Sequence, residues 1–493
     1  MTLRRHLPAY RQLDQLVNEG RAQMIATPTA DTGTIPTIVA TQADEVAIIT
    51  RIFGTALPSN DTSPGLGDAG ATHGIQLYDE NGDATLERWF WISHQRVDAA
   101  FWSPSAPEFS WQSAPPNAPI DFEMEEPIII PPRHTLRMDA LGPQTMAGGS
   151  VACYGYIVDV ATARMLGFST GSQDTTTKPE ASGVITSLPS NTGGFRGGAI
   201  VGVDLATVVP ALAGHTVQII DMHIRMQPMT GGSSTVTANV VAATGSGDAL
   251  SSTDVVFAPV NNNHGDLAEW KMSPCLYLQP DHGLFLISLG GARVSCNVTY
   301  RYVQNSEVPQ GMWWSYAAIT PPGANTNTTG TSSLFTDGSQ EMTLIYPGKI
   351  AAGYSTTTAT SAGTGYQHVL EGWAVAAQKD ATIPGDRLYF AITDGAAAGN
   401  IGLSGSGLTT TNKLCTPIMC LGGHNQNMAL ALDGLNIPGT KDTGSFRVEM
   451  TGRGSASATP LTNDLDVDEM HVLIWGRTIP ATYGTSHFKG GAS

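Results

Sequence analysis

Charged residues are scarce in this sequence: Asp, Glu, Lys and Arg make up only 14% of its 493 residues, whereas about 25% is typical of soluble globular domains. Ser, Thr, Asn and 55 Gly take their place. These small polar and turn-forming residues are expected where many short strands are joined by tight turns and loops. The composition therefore predicts a mainly β chain.

Basic residues are especially few, and the formal net charge is −17. A field of that sign repels phosphate backbones and anionic membranes, so we expect no direct nucleic-acid partner and no membrane partner. The first 30 residues differ, because there Arg outnumbers Asp and Glu.

Long apolar runs are also missing. No stretch of 18 apolar residues could span a bilayer, and the N-terminal region has no apolar core of a signal peptide. We therefore expect synthesis in a host cytoplasm without export.

Cysteine is rare as well: the five are Cys153, Cys275, Cys296, Cys415 and Cys420. They are too few and too scattered for a disulfide framework, and we expect them to be buried small apolar residues.

One helix is predicted near the N-terminus, between Pro8 and Met24. Tyr10, Leu13 and Val17 fall near helical spacing there. This helical arm could dock on another subunit or pack on its own chain, and the sequence leaves both open.

Strand patterns then recur in three regions, separated by Ser-, Thr-, Gly- and Pro-rich stretches. No pattern of helix length interrupts them. The predicted organisation is a helical arm at 1–34, a β module at 35–168, a linker at 169–198, a second module at 199–305, an irregular linker at 306–367, a third module at 368–480 and a tail at 481–493.

The first two regions share a segment, Pro-x-His-x-Leu-x-(Met/Leu), at Pro132–Met138 and Pro280–Leu286. Further along, the pair Tyr154 and Tyr156 resembles the pair Tyr300 and Tyr302, with Cys153 and Cys296 nearby. We interpret these similarities as an internal duplication, which the third region matches only weakly.

Modules of this size made of short strands must shield their sheet edges, either by packing two antiparallel sheets or by closing into a barrel. The predicted fold class is therefore mainly β, with tandem antiparallel β-sandwich modules of jelly-roll type and a short N-terminal helical arm.

Catalytic motifs are lacking. No Walker-type loop, H-E-x-x-H or paired C-x-x-C occurs, and the G-x-S-x-G at Gly167–Gly171 leads into a Gly- and Pro-rich stretch where a nucleophile elbow needs a helix. His134 and His282 each precede an apolar strand without a second ligand at metal spacing, so we expect them to bond loop carbonyls. No catalytic or cofactor-binding residue is assigned.

Two acidic segments invite a calcium interpretation. Asp79, Asn81 and Asp83 begin like a calcium loop, but the glycine and the final glutamate are out of place, so a hairpin turn is favoured. Asp464, Asp466 and Asp468 share one face of an extended segment, where a solvated face is favoured and calcium is the weaker alternative.

Tryptophans cluster unusually, at Trp89, Trp91, Trp102, Trp111, Trp313 and Trp314. Consecutive aromatics on a strand place rings on both faces of the sheet, so at least one ring in each run should leave its local core. Such rings could anchor a subunit interface, pack under a loop or stack on glycans, and the interface is favoured.

This layout, with a helical arm, tandem Gly- and Thr-rich β modules and no export signal, resembles the virion structural proteins of tailed bacteriophages. That resemblance implies a capsid decoration or cement protein, or a neck or tail component. It also implies location in the virion, phage capsid or tail proteins as partners, and a homo-oligomer such as a trimer. A glycan-binding adhesin and, less favoured, a glycan-degrading enzyme stay open as alternatives.

Overall fold

The structure is a computed structural model of the whole chain. The residues it describes are 7–30, 37–57, 72–92, 120–139, 148–168, 195–201, 205–228, 236–245, 255–261, 268–288, 292–319, 338–348, 358–359, 361–378, 387–394, 402–404, 407–409, 418–421, 426–431, 437–453 and 469–480.

The first module is an eight-stranded jelly roll. Its strands are β1 (Gln23–Ala30), β2 (Thr37–Ala40), β3 (Glu45–Leu57), β4 (Thr72–Tyr78), β5 (Ala84–Ile92), β6 (Ile120–Ile130), β7 (Thr135–Asp139) and β8 (Gly148–Asp159). One sheet has the order β1-β8-β3-β6 and the other β2-β7-β4-β5. Lettered B to I in chain order, the sheets are BIDG and CHEF, two antiparallel layers with the crossovers of a jelly roll.

The second module repeats this topology. Its strands are β9 (Phe195–Val201), β10 (Leu205–Val209), β11 (His215–Pro228), β12 (Val236–Ala243), β13 (Val255–Phe257), β14 (Val260–Asn261), β15 (Ala268–Met272), β16 (Leu276–Tyr277), β17 (Gly283–Ser288) and β18 (Ala292–Gln304). The sheet β15-β11-β18-β9 corresponds to BIDG, and β10-β17-β12-β13 corresponds to CHEF. Strands F and G are each split in two, since β14 also pairs with β12 and β16 with β11.

The third module is a jelly roll with two added hairpins. Its strands are β19 (Met312–Ile319), β20 (Gly338–Glu341), β21 (Leu344–Ile345), β22 (Thr358–Ala359), β23 (Ser361–Gln378), β24 (Arg387–Asp394), β25 (Gly402–Ser404), β26 (Gly407–Thr409), β27 (Ile418–Leu421), β28 (Gln426–Ala431), β29 (Ile437–Arg453) and β30 (Glu469–Pro480). B, I, D and G are β19, β30, β23 and β28, while C, H, E and F are β20, β29, β24 and β27. Long strands β23 and β29 also pair with each other and join the two layers. The predicted fold class is confirmed.

A β-bulge recurs at one place in all three modules. The D strand carries one extra residue opposite the I strand, between Ile49 and Arg51, between Ile219 and Asp221, and between Leu370 and Gly372. Because bulges are specific features of a sheet rather than defects, the coincidence supports a threefold internal repeat.

The bulges also fix which I-strand residues correspond. Tyr154 pairs with the D-strand residue just after the bulge, and Thr299 and Trp475 do the same in the second and third modules. Tyr154 therefore corresponds to Thr299 and not to Tyr300, so the alignment of the two tyrosine pairs was one residue out of register. On a strand, that shift exchanges the two faces.

Two helices cover part of the first BIDG sheet: α1 (Leu7–Asn18) and α2 (Val160–Met165). Leu13 of α1 is fully buried against Val46, Ile48 and Val158. The arm therefore packs on its own module through Leu13. For this residue, the alternative of docking on another subunit is wrong. Val17 is half-buried, and the Tyr10 side chain lies outside the described residues.

Helix α2 was missed from the sequence, because six residues are too few for a periodic pattern. Asp159 caps its first turn by accepting from the backbone of Thr162. Gly167, at φ 85°, ends it in a Schellman arrangement, with Gly167 N–H donating to Arg164 and Phe168 N–H to Ala163. This glycine of the G-x-S-x-G motif is thus a helix C-cap.

The module boundaries lie earlier than the sequence suggested. β1, within the predicted arm, pairs with β8, and β9 begins the second module before residue 199. The predicted linker at 306–367 contains β19 to β22 and the start of β23. These strands were hidden because Gly, Thr and Pro interrupt their alternation, as Pro28 does in β1.

Candidate functional site: the junctions between the jelly rolls

The repeated Pro-x-His segment is a turn that leads into strand H of modules one and two. His134 Nδ1 donates to the carbonyl of Pro132 over 2.8 Å, and His282 Nδ1 donates to the carbonyl of Pro280 over 2.7 Å. The intervening residues, Arg133 and Asp281, have φ values of 62° and 63°. Proline followed by a positive φ is the pattern of a type II turn. The expectation that these histidines bond loop carbonyls is confirmed.

The Asp79 turn is the predicted hairpin between β4 and β5. Asp79 Oδ1 accepts from the backbone N–H of Asn81 over 2.9 Å and of Asp83 over 2.8 Å, and Gly82 has a φ of 84°. The Asp79 carboxylate thus stabilises the turn in which it lies by accepting these two backbone hydrogen bonds. Asp464, Asp466 and Asp468 lie outside the described residues. Among the residues that are described, no three His, Cys, Asp or Glu side chains are grouped to hold a metal ion.

Jelly rolls one and two meet at a polar junction. Strand β5, the F strand of module one, lies against β9 and β18, the B and I strands of module two. The outer face of β18 is polar here, yet Ser295, Asn297 and Thr299 are no more than 2% exposed. Their burial shows that module one covers them.

A charged cluster on β11 and β15 forms part of this polar junction. His223 Nε2 donates to Glu269 Oε1 over 2.6 Å, and the Arg225 guanidinium donates to the same oxygen over 3.0 Å. Lys271 Nζ lies 3.5 Å from it. From module one, the Trp89 ring stacks on His223 with centroids 6.3 Å apart, and Arg88 donates to the carbonyl of Thr207 over 2.7 Å.

The environment of this cluster shifts two pKa values. Burial lowers the pKa of His223 to about 4, although its hydrogen bond to Glu269 acts in the opposite direction. Burial would raise the pKa of Glu269, but the His223 hydrogen bond and the Arg225 and Lys271 charges outweigh it and hold that pKa well below its usual range. At neutral pH a neutral imidazole therefore donates to a carboxylate.

Jelly rolls two and three meet at an apolar junction in which an F strand again faces strands B and I, and in which the G strand of module two (β15 and β16) also lies against β28 and β19. Strand β13, an F strand, lies against β19 and β30, the B and I strands of module three. Trp314, Leu473 and Trp475 share one buried cluster with the core of module two. Tyr316 packs against Val241 and Phe285, together with the other residues of a smaller cluster on the outer CHEF face of module two.

Two polar contacts accompany this apolar junction. Trp270 of module two donates from Nε1 to the carbonyl of Val375 over 3.3 Å. Tyr316 and His471, both on module three, form a 2.6 Å hydrogen bond beside the junction, and their rings stack. Only the Trp270 contact crosses between the modules, where it satisfies the buried indole N–H.

The structure separates the six predicted tryptophans. Trp313 packs in the core of module three beside His368 and Phe446. Its neighbour Trp314 points to the opposite face and packs against the core of module two. One ring of this pair therefore leaves its local core, as predicted.

Trp89, Trp313 and Trp314 are 7%, 2% and 0% exposed, so burial within the chain corrects their assignment to glycans or other subunits. The Trp91 side chain, Trp102 and Trp111 lie outside the described residues.

The cysteines within the described residues differ in exposure. Cys153 and Cys296 are buried as expected, and burial raises the pKa of Cys153 to about 12. Cys275 is exposed, which corrects that expectation for this residue. Neither described helix is long and apolar enough to cross a bilayer.

No protein family and no curated protein matches the sequence. Three-dimensional comparison finds a chain of broad bean stain virus at 10% identity and a TM-score of 0.27, covering 60% of this chain and 92% of that one. A chain from the naturally occurring empty particles of cowpea mosaic virus gives 10% identity and a TM-score of 0.27, covering 58% and 90%. A chain of Macrobrachium rosenbergii nodavirus gives 8% and 0.11, covering 57% and 93%. At these TM-scores the similarities carry no functional argument.

Sequence reasoning missed the polar junction. The alternation in β15, where Ala268, Trp270 and Met272 point inward and Glu269 and Lys271 outward, looks like an ordinary half-solvated strand. Only the position of module one shows that Glu269 on this outward face is partly covered, while Lys271 stays exposed. The tryptophan runs that include Trp89 and Trp314 indicated a contact beyond the local core, although the interface expected from the sequence was with another subunit.

Proposed function

We propose that this chain is a non-enzymatic structural protein of a virus particle, in which the three jelly rolls act as packing units. The observation that carries the proposal is the repeated junction: an F strand lies across the B and I strands of the next module at both places where modules meet. Jelly rolls are common in viral capsid proteins, although lectins and cupins also use them. A surface that packs in the same way repeatedly is what an extended protein shell requires.

The finer assignment that we propose is a capsid decoration or cement protein, or a neck or tail component, of a tailed bacteriophage. The support comes from the layout of the sequence, namely a helical segment followed by tandem Gly-, Thr- and Ser-rich β modules, without a recognisable catalytic motif. In this role added buried interface stabilises the assembled particle by mass action.

Immunogold labelling of purified particles with antibodies to this chain tests the proposal. We expect label distributed over the shell, or restricted to the neck or tail. Label only at fibre tips would favour the glycan-binding adhesin, for which Trp102 and Trp111 remain candidate contacts. Particles without label would contradict the virion role.

A screen for glycan hydrolysis by the purified chain tests the non-enzymatic part. We expect no turnover above that of a heat-inactivated sample. Hydrolysis abolished by one Asp or Glu substitution would overturn this part and identify an enzyme.

A further inference from the structure

The outer face of strands B, I and D, here called the receiving surface, is covered in two of the three modules. In module two the F strand β5 covers it, and in module three the F strand β13 covers it. The receiving surface is polar in module two and apolar in module three, so the packing geometry recurs although the chemistry changes. A repeated head-to-tail contact of this kind leaves one surface unused at each end of a series.

Module one carries the unused receiving surface. Tyr154 is 41% exposed, whereas the corresponding Thr299 and Trp475 are 2% and 3% exposed. Ala152 and Phe53 are half-buried, and Ala26, which pairs with Tyr154, is exposed. Helices α1 and α2 cover the other part of this sheet, around Val46, Ile48 and Val158, and end at Tyr156, whose hydroxyl donates to Asp14 of α1.

Module three carries the unused F strand. Within the described part of the chain, β27 has extensive strand contacts only with its neighbour β24. By contrast, β5 and β13 each contact the B and I strands of a following module. Strands of module one contact strands of module two, and strands of module two contact strands of module three. Among the described residues, no comparable strand contact joins modules one and three.

We infer that the receiving surface around Tyr154 binds a second copy of this chain, through the F strand β27 of that copy's third jelly roll. This contact continues the two junctions within the chain and makes the chain a head-to-tail building block. Tyr154 suits such a position, because aromatic side chains with a polar tip dominate many interfaces. The inference rests on the proposed function, since it names the partner and the surface used in assembly.

Photo-cross-linking tests the contact directly. Benzoylphenylalanine replaces Tyr154 in the full chain, and light and 15N-labelled preparations are mixed before assembly and irradiated. We expect mixed light and heavy cross-linked peptides that join position 154 to the segment around residues 418–421. The control places the same amino acid at Met165, which is 67% exposed on helix α2 rather than on one of the receiving strands.

Three results of this experiment would overturn the inference. If every cross-linked pair is either light–light or heavy–heavy, position 154 contacts a segment of its own chain and not a second copy. Mixed cross-links from position 154 to module one or two would identify a different partner surface. Yields at position 154 no higher than at position 165 would show that no partner covers Tyr154.

Substitution gives an independent measurement. Tyr154→Arg places a charge in the contact, so we expect self-association, measured by sedimentation velocity, to weaken about tenfold or more. Met165→Arg makes the same kind of change elsewhere and should leave association unchanged. Equal association by Tyr154→Arg and wild type, or a wild-type chain that stays monomeric at high micromolar concentration, would contradict the inference.

The virion role and the docking contact at Tyr154 can be contradicted independently of each other. Particles that carry the protein, but in which position 154 cross-links elsewhere, would keep the virion role and remove the docking contact. Mixed cross-links to residues 418–421 in a protein absent from particles would keep the contact and remove the virion role.

Discussion

His223 donates its Nε2 proton to Oε1 of Glu269 over 2.6 Å, and the pair lies beneath Trp89 of the neighbouring jelly roll. Arg225 donates to the same carboxylate oxygen. A half-buried carboxylate with two donors is satisfied, whereas removing one partner leaves a partly desolvated charge. The junction between the first two modules therefore depends on the protonation state of two side chains.

Acidification should weaken this junction. The pKa of His223 is about 4 in the folded chain, below its ordinary 6.5, and the pKa of Glu269 is also lowered. The unfolded chain thus binds more protons, so stability falls as the pH drops below about 6.5, by on the order of 3 kcal/mol from His223 by pH 4. Thermal melts between pH 7.5 and 4 measure this loss.

A matched pair of substitutions isolates the effect of His223. His223→Gln keeps a donor for Glu269 but does not titrate, so the melting temperature should depend less on pH between 6.5 and 4. His282→Gln replaces a turn histidine outside the junction and is the matched control for loss of an imidazole elsewhere in the chain. Identical profiles for His223→Gln and the wild type would contradict the assignment.

The strands were predictable wherever one face is buried, but the surfaces that cover them were not. The alternating apolar residues of β4 and β11 were visible in the sequence, whereas β3 is a continuous apolar run that is buried on both faces from Val46 to Ile49. Burial of an outer face depends on a neighbouring module, and neither Asn297 nor Glu269 differs locally from a solvated strand residue. The alignment of Tyr154 with Tyr300 failed for a related reason, because the strand pairing that fixes which I-strand residues correspond is not visible in the sequence.

The neighbouring tryptophans Trp313 and Trp314 should have separable roles. Each Trp→Ala substitution should cost about 3 to 5 kcal/mol, since both rings are buried. Trp313→Ala should destabilise module three itself. Trp314→Ala should loosen the junction with module two and allow limited proteolysis between the two modules, with module three still folded. Indistinguishable proteolytic patterns for the two variants would contradict this division.

Two glycines opposite the recurrent bulge should resist substitution. A Cβ on Gly155 would overlap the carbonyl oxygen of Ile48, and one on Gly476 would overlap that of Val369. Since neither backbone oxygen can move without disrupting strand pairing, Gly155→Ala and Gly476→Ala should lower the free energy of unfolding by several kcal/mol. Gly82→Ala is the control: its φ is 84° but nothing lies within 4 Å, so about 1 kcal/mol is expected. Urea unfolding compares the three, and equal losses would show that crowding at the bulge is unimportant.

Deletion of residues 1–30 should unfold the first jelly roll rather than merely weaken assembly. The deletion removes β1, which pairs with β8 along its length, and exposes the face of Val46, Ile48 and Val158 that Leu13 covers. Leu13→Ala, which removes only the helix contact, should cost about 2 to 5 kcal/mol. Hydrogen exchange read at β3 and β8 distinguishes these outcomes, with deletion of residues 1–6 as the control. Native protection of both strands in the longer deletion would show that the first jelly roll folds without β1 and α1.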